Sequence, residues 1–427
     1  MASFYIPLTG LESDSTALNT IANDLSNMNT TAFKGQSTNF SDLFYQQIGS
    51  TGSGDPIELG AGVKVASNET IFSQGSINAT GNATDVAING NGFFVVDPTS
   101  GGQEFTRAGD FSLTSTGALV TTGGASVMGY PAPGGVVNTN APLAPINIPV
   151  GQVEQPSATT SMNMTLNLDS ASAANTVFPT DITVYDSLGD PHTAAITYTQ
   201  TGTNTWSYSV ALPAADFASG VSTPVTGTMN FDANGNLSSI QPTGAAAATT
   251  VGTASGDVSS IPLSFTGLTD QASNLNISWN LLGPSGTPTI SQVDTASAVS
   301  ATTQNGYSSG QYQSFTVGSD GTVTATFSNG EMLNVGQIAM GDVTNLQGLQ
   351  LLGDGDYAAT LASGTPAIAP SGTDGLGTLQ DGALEGSNVN ISAEFSDLII
   401  AQRGFEANSK AVTTFDTITE ETINMIH

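Results

Sequence analysis

The 427-residue sequence predicts a mainly β protein with an α-helix at each end. Three observations carry that expectation. Apolar residues recur at seven-residue intervals near both termini, and they alternate at every second position through the middle. Charged residues make up only 9% of the chain, against about 25% in an average soluble domain. Gly, Ser, Thr and Asn fill the gap, and that mixture favours short strands and turns over long helices.

The N-terminal helical pattern runs from Leu8 to Met28. Leu11, Leu18 and Leu25 share one heptad phase, with Ile21 and Met28 in the offset seam. At the other end Ile391, Leu398, Phe405 and Val412 share a phase, to which Ile426 returns after Thr419, and Ala401 and Phe415 lie on the adjacent seam. Ser387 or Asn388 suits the N-cap of this helix, with Ser392 as a later alternative. Two arrangements fit these stripes. Each helix packs on the core of its own chain, or the two pair with each other and with copies from neighbouring subunits. The second follows from the marginal stability in water of an isolated helix this short. On that reading the assembly interface consists of Leu11, Leu18, Ile21, Leu25, Met28, Ile391, Leu398, Phe405, Val412 and Phe415.

Between the ends the period is two. Trp206, Tyr208, Val210 and Leu212 alternate and follow Ile196 and Tyr198 across a turn at Gln200 to Asn204, which reads as a hairpin. Leu275, Ile277, Trp279 and Leu281 alternate in the same way. Phe315 and Val317 face Val323, Ala325 and Phe327 across Ser319-Asp320-Gly321, and Asn89-Gly90 and Asn329-Gly330 are hairpin-turn dipeptides. A Pro-rich stretch from Pro131 to Pro156 and a return at Thr295 to Ser309 make the order nested: helix, β domain, inserted β domain, β domain again, helix.

Charge and chemistry exclude several classes of function. Five basic residues (Lys34, Lys64, Arg107, Arg403 and Lys410) stand against 35 acidic ones, for a formal net charge of −30. A chain with no cation between Arg107 and Arg403 cannot neutralise a phosphate backbone or an anionic membrane, so neither nucleic acid nor a membrane is an expected partner. There is no cysteine, which removes disulfides, thiolate metal sites and cysteine nucleophiles. The histidines are His192, just after a turn at Asp186 to Pro191, and His427, the last residue, and neither sits in a pattern that suggests a Ser/His/Asp triad. Asp354 and Asp356 in Gly-Asp-Gly-Asp-Tyr read as turn chemistry. Asp232-Ala-Asn234-Gly-Asn236 only partly resembles a calcium loop, since no Glu closes it. Trp206 and Trp279 read as core residues rather than sugar-stacking platforms. The expectation is a protein that is not an enzyme and has no catalytic, metal or cofactor site. The start, Met1 to Gly10, lacks a basic n-region and a long apolar core, so the chain is expected to stay in the cytoplasm or to leave by a route other than a cleaved signal. No stretch approaches the roughly 20 apolar residues of a membrane span.

Four ordered segments carry a family resemblance. Ile21-Ala-Asn-Asp-Leu-Ser-Asn-Met-Asn-Thr-Thr-Ala-Phe-Lys34 is the first. The second is Phe72-Ser-Gln-Gly75, continuing through Thr80-Gly-Asn82 and Asp85 to Gly90-Asn-Gly-Phe-Phe-Val-Val96. Then come Phe105-Thr-Arg-Ala-Gly-Asp-Phe111 with Gly117-Ala-Leu-Val120, and Gly382-Ala-Leu-Glu-Gly-Ser-Asn-Val389 running on to Ala401-Gln-Arg-Gly-Phe-Glu-Ala-Asn408. Together they resemble the bacterial flagellar rod and hook family. The matching positions singled out are Asn23, Asn27, Asn29, Thr30, Phe33, Lys34, Gln74, Gly75, Gly90, Gly92, Phe93, Arg107, Gly109, Ser387, Asn388, Gln402, Arg403 and Asn408. Val184-Tyr-Asp-Ser-Leu-Gly189 with His192, Phe231-Asp-Ala-Asn-Gly-Asn-Leu237, and Phe327-Ser-Asn-Gly330 with Gly336-Gln-Ile-Ala339 are similar to the hook members rather than to the shorter rod members.

The resemblance implies N- and C-terminal helices forming a coiled pair at 1–32 and 381–427, and a linker or extended region at 33–70. It further implies an inner β domain in two parts, 71–147 and 301–380, and an inserted outer β domain at 148–300. It implies a subunit of a flexible curved tube that couples rod to filament and transmits torque, located at the flagellar hook and basal body. The implied partners are copies of itself in a helical homopolymer, the hook cap, the distal rod, the hook–filament junction protein, the hook-length control protein and the flagellar export apparatus. A distal rod or hook-like axial protein is the nearest alternative, and a β-rich surface adhesin the alternative from another class.

Overall fold

The computed structural model describes residues 2–50, 56–98 and 101–425, so Ile426 and His427 lie outside the described residues. The chain divides into two compact units: Met1–Val150 with Ser314–Thr326 and Met332–His427, and Gly151–Gln313 with Phe327–Glu331. The fold is mostly β with one helix at each end, and those helices contact each other.

In the first unit, helix α1 spans Ala2–Ser26 and helix α2 spans Ile391–Asn424. Helix α2 is capped by Asn390, whose side chain accepts from the backbone N–H groups of Ser392 and Ala393 at 3.0 and 3.3 Å. The cap is therefore none of the residues expected. Asn388 is committed elsewhere, because its amide bonds the backbone of Ile71, Ser73 and Gly35. The helix starts at Ile391, and the preceding stretch holds the short strand Ala383–Glu385. The stretch 33–70 carries four strands in nested antiparallel pairs, Gln36–Asp42 with Val63–Thr70 and Gln46–Ser50 with Pro56–Leu59. The outer pair lies along α1.

The sheet of this unit is organised around the strand Met332–Asp342. That strand pairs antiparallel with Ser126–Pro131, Phe93–Asp97 and Ala367–Pro370. Asn329-Gly330 makes the expected hairpin into it, since Thr326 pairs with Met332. Asn89-Gly90 does not make a hairpin. Gly90 turns the chain at φ 116°, but the flanking strands pair elsewhere, Val86–Asn89 with Thr378–Asp381 and Phe93–Asp97 with Glu104–Thr106. The aromatic rings of Phe72, Phe93 and Tyr357 close on one another at centroid distances of 5.6–5.9 Å beside this sheet.

The second unit is a sandwich. One sheet is an antiparallel meander of six strands from Val177–Tyr185 to Thr249–Thr250. It includes the expected hairpin of Pro191–Gly202 with Thr205–Ala211. The other sheet is built on Ser161–Asp169, which pairs parallel with Leu275–Asn280 and Ile290–Val293 and antiparallel with Ala298–Gln304. Trp206 and Trp279 are fully buried between the sheets, with Tyr208 edge-on to Trp279 at 5.8 Å. Both tryptophans are core residues. Asp232 forms a hairpin turn and accepts from the N–H groups of Asn234 and Asn236 at 2.8 and 2.9 Å.

Candidate assembly interface

The contact between α1 and α2 includes a polar bond and two closely approached glycines. Asn408 donates to an Asp14 carboxylate oxygen at 2.8 Å. A Cβ at Gly10 would stand 2.6 Å from the Asn408 amide nitrogen, and one at Gly404 3.0 Å from Asp14 Oδ2. The heptad residues Leu11, Leu18, Ile21 and Leu25 of α1, and Leu398, Phe405, Val412 and Phe415 of α2, are half-buried in the single chain. Met28 lies past the end of α1 and is 39% exposed, and Ile391 opens α2 at 45%. Ala401 is the only described residue of α2 that is buried.

Helix α2 also carries apolar residues that the heptad reading left out: Phe395, Ile399 and Ile400 are 53%, 57% and 68% exposed, and Ile418 and Ile423 more than half. These lie off the seven-residue phase, so a search restricted to one phase misses them. A scan of the helix for every large apolar residue finds them. Gln402, Arg403 and Asn23 are exposed, and Arg403 makes a long 3.8 Å contact with Glu406 one turn on.

Most of the remaining singled-out positions converge where the chain enters and leaves the β part of the first unit. The amide of Asn27 donates to Asn23 O at 3.0 Å, and Thr30 Oγ1 donates to Asn27 Oδ1 at 3.1 Å. These bonds take up polar groups at the end of α1. Beyond them Ala32 N–H donates to Glu385 O at 2.8 Å, and Asn388 N–H to Phe33 O at 3.2 Å. Asn29 is exposed in this turn, and Ser387 Oγ accepts from Val389 N–H at 3.3 Å.

At the centre lies a buried ion triad. Lys34 Nζ sits 2.5 Å from Glu385 Oε1, and Arg107 Nε 2.9 Å from Glu385 Oε2. The side chains of Lys34 and Glu385 are fully buried, and that of Arg107 is 5% exposed. Gly75 N–H adds a 2.8 Å bond to Glu385 Oε1, and Lys34 donates to Ser73 O at 2.9 Å. Arg107 also donates to the carbonyls of Gly92 and Gly90 at 3.1 and 2.8 Å, and its guanidinium stands 6.0 Å from the Phe93 ring centre. Gln74 braces the same turn, donating to Ile88 O and accepting from Gly90 N–H at 3.0 and 3.1 Å. Gly109 O accepts from Val86 N–H at 2.9 Å. Glycine is required at position 75, because a Cβ there would lie 2.0 Å from Gly386 O. Burial pushes the Lys34 ammonium down, and Glu385 offsets only part of that fall. Charges this deep persist only when paired and hydrogen-bonded.

Glu385 is the residue that sequence reasoning missed as a site residue. The one signal in the sequence is the scarcity of cations: a basic residue buried in a fold with so few of them needs an anion. Nearby, Asp24 of α1 is fully buried, accepts from Gln36 N–H at 2.8 Å and is pushed up by burial. Glu394 in the first turn of α2 is raised by its own burial and by the Asp24 charge.

Comparison with known proteins then decides the family. Three family models match: the flagellar hook protein FlgE/F/G D1 domain over residues 87–167, the flagellar basal body protein FlaE D2 domain over 157–307, and the flagellar basal body rod FlgEFG protein C-terminal over 380–425. The flagellar hook protein FlgE of Treponema pallidum (strain Nichols) is 33% identical over 467 residues, covering 100% of this chain and 99% of that protein. FlgE of Salmonella typhimurium is 33% identical over 436 residues, covering 99% and 100%. The chain belongs to the flagellar hook protein family. As a hook protein it is a structural subunit of the flagellar hook and basal body, not an enzyme, and it polymerises with copies of itself. The crystal structure of Helicobacter pylori flagellar hook protein FlgE2 shares the hook protein fold, at a TM-score of 0.55 and 15% identity over 72% of this chain and all of that one.

Proposed function

We propose that α1 and α2 form the polymerisation surface of this hook subunit, with the heptad residues from Leu11 to Met28 and from Ile391 to Phe415 at the contacts between copies. The observation that carries this reading is the uncovered apolar surface of α2, where Phe395, Ile399 and Ile400 stay more than half exposed although the helix packs along α1. Burying such a side chain against a neighbouring copy contributes about 1.5–3 kcal/mol each. The assembled tube is flexible and curved, joins rod to filament and transmits torque. Its further partners are the hook cap, the distal rod, the hook–filament junction protein, the hook-length control protein and the export apparatus, through which the subunit leaves the cell without a cleaved signal peptide.

Phe395→Asp and Ile399→Asp test this reading. Both sites are exposed in the single chain, so thermal stability should be unchanged while polymer yield in sedimentation falls at least tenfold. Normal polymers from both variants would sink it.

A further inference from the structure

The second unit contains no Lys and no Arg, so His192 is the only side chain in it able to carry a positive charge. Its surroundings come from both sheets. Strands Val177–Tyr185 and Pro191–Gly202 are joined by a turn in which Asp186, fully buried, accepts from the N–H groups of Leu188 and Asp190 at 2.8 and 3.0 Å. His192 is 8% exposed, with Nε2 3.3 Å from Asp186 Oδ2 and Nδ1 2.8 Å from Asp216 Oδ2. Asp216 ends the short 3-10 turn Ala214–Asp216. Thr269 ties that turn to the loop between Ser260–Phe265 and Leu275–Asn280, donating to Asp216 O and Ala215 O at 2.9 and 3.0 Å. The same loop brings the Asp270 carboxyl within 4.8 Å of Asp186 and His192, and Ser273 N–H donates to Ser187 Oγ at 2.9 Å. Asp186, Asp216 and, through Asp186, Asp270 are the titratable groups facing the ring, and Asp190 on the turn is exposed.

Both ring nitrogens point at carboxylates. A neutral imidazole donates to only one of them and sets a lone pair against the other, whereas an imidazolium satisfies both. The geometry points to a proton-operated fastener: protonated His192 staples the 186–190 turn, the 214–216 turn and the 266–274 loop into one corner, and loss of its proton loosens that corner while the sheets stay folded. Burial pushes the ring down from its ordinary 6.5, but the bonds and charges of Asp216 and Asp186 outweigh it, and the net shift is upward. With the folded value raised, the stabilisation is fully present below the unfolded pKa of about 6.5 and is lost as pH rises through the folded value.

The chain supplies its own reporter, because Trp206 and Trp279 are its only tryptophans and both are buried in this unit. Thermal unfolding of the full chain is followed by tryptophan emission between pH 6 and 9, with and without EDTA. The midpoint should fall by about 3 °C or more across that window, and His192→Gln should flatten the dependence. Should that variant not fold, imidazole NMR of the unmodified chain, with His427→Gln for assignment, should show His192 titrating above 6.5. A midpoint independent of pH, a dependence that vanishes in EDTA, or a His192 ring titrating at or below the ordinary value would overturn the proposal.

Discussion

Asn408 donates a 2.8 Å hydrogen bond to the Asp14 carboxylate, joining the C-terminal helix to the N-terminal one. Gly10 makes room for the amide, and Gly404 lies against the carboxylate. A polar bond of this kind has an orientation, so it sets the register of the two helices as well as their proximity.

Gly10→Val should therefore separate the pair. A Cβ at position 10 meets the Asn408 amide at 2.6 Å, and crowding of this kind typically costs about 1–3 kcal/mol. Gly and Val differ by only a few tenths of a kcal/mol in helix propensity, so the loss reports the contact and not the helix itself. The helical far-UV signal should melt earlier while tryptophan emission keeps its midpoint. An unchanged helical midpoint would show that the helices do not rely on this contact.

Glu385→Gln should be severe. It leaves the Lys34 and Arg107 cations buried with no anion, a change that costs about 3–5 kcal/mol. Lys34→Met should cost less, because Glu385 keeps its bonds to Arg107 and Gly75 N–H. Calorimetry should show the transition of the first unit moving down and the tryptophan-reporting unit unaffected. Equal costs for the two variants would count against a shared carboxylate.

Asp356→Asn should stabilise the first unit at neutral pH. Burial pushes the Asp356 carboxyl up to about 6, and the charges of Glu104, Asp354 and Asp110 add to the rise. A carboxyl raised in the folded state contributes stability below its unfolded pKa of about 4 and loses it as pH rises through the folded value. The variant should gain about 1 kcal/mol at pH 7.5, a figure discounted for the partial exposure of the site, and nothing at pH 4. Calorimetric scans at the two pH values check the sign, and an equal gain at both would assign the effect to something other than charge.

The strand alternation around Trp206 and Trp279 was legible because both faces of a sandwich core impose a period of two. The terminal helices and their pairing were legible from the heptads, but the polar bond between them was not. That bond involves Gly10, Asp14, Gly404 and Asn408, and apolar periodicity carries no information about such residues. The Asn89-Gly90 turn shows another limit. The dipeptide does bend the chain, yet pairing was decided by the distant strand Thr378–Asp381, beyond the reach of local turn chemistry. The Asn390 cap was missed because Ser387, Asn388 and Ser392 are equally suited by composition, and only the tertiary bonds of Asn388 exclude it. Glu385 lies 351 residues from Lys34 and 278 from Arg107, and no local pattern links them.

Those long separations have a mechanical meaning. The segment leaving α1 and the segment approaching α2 are laced together by Glu385 and Asn388. A pull along one helix is handed across the lacing to the other, with the charge-assisted Lys34–Glu385 bond and the backbone-amide bonds of Ala32, Gly35 and Asn388 loaded in parallel. The covalent excursion through the β units hangs from this closure as a loop hangs from a clasp. Such a loop can strain, rearrange or vary in sequence while the path that carries force between the two helices stays short.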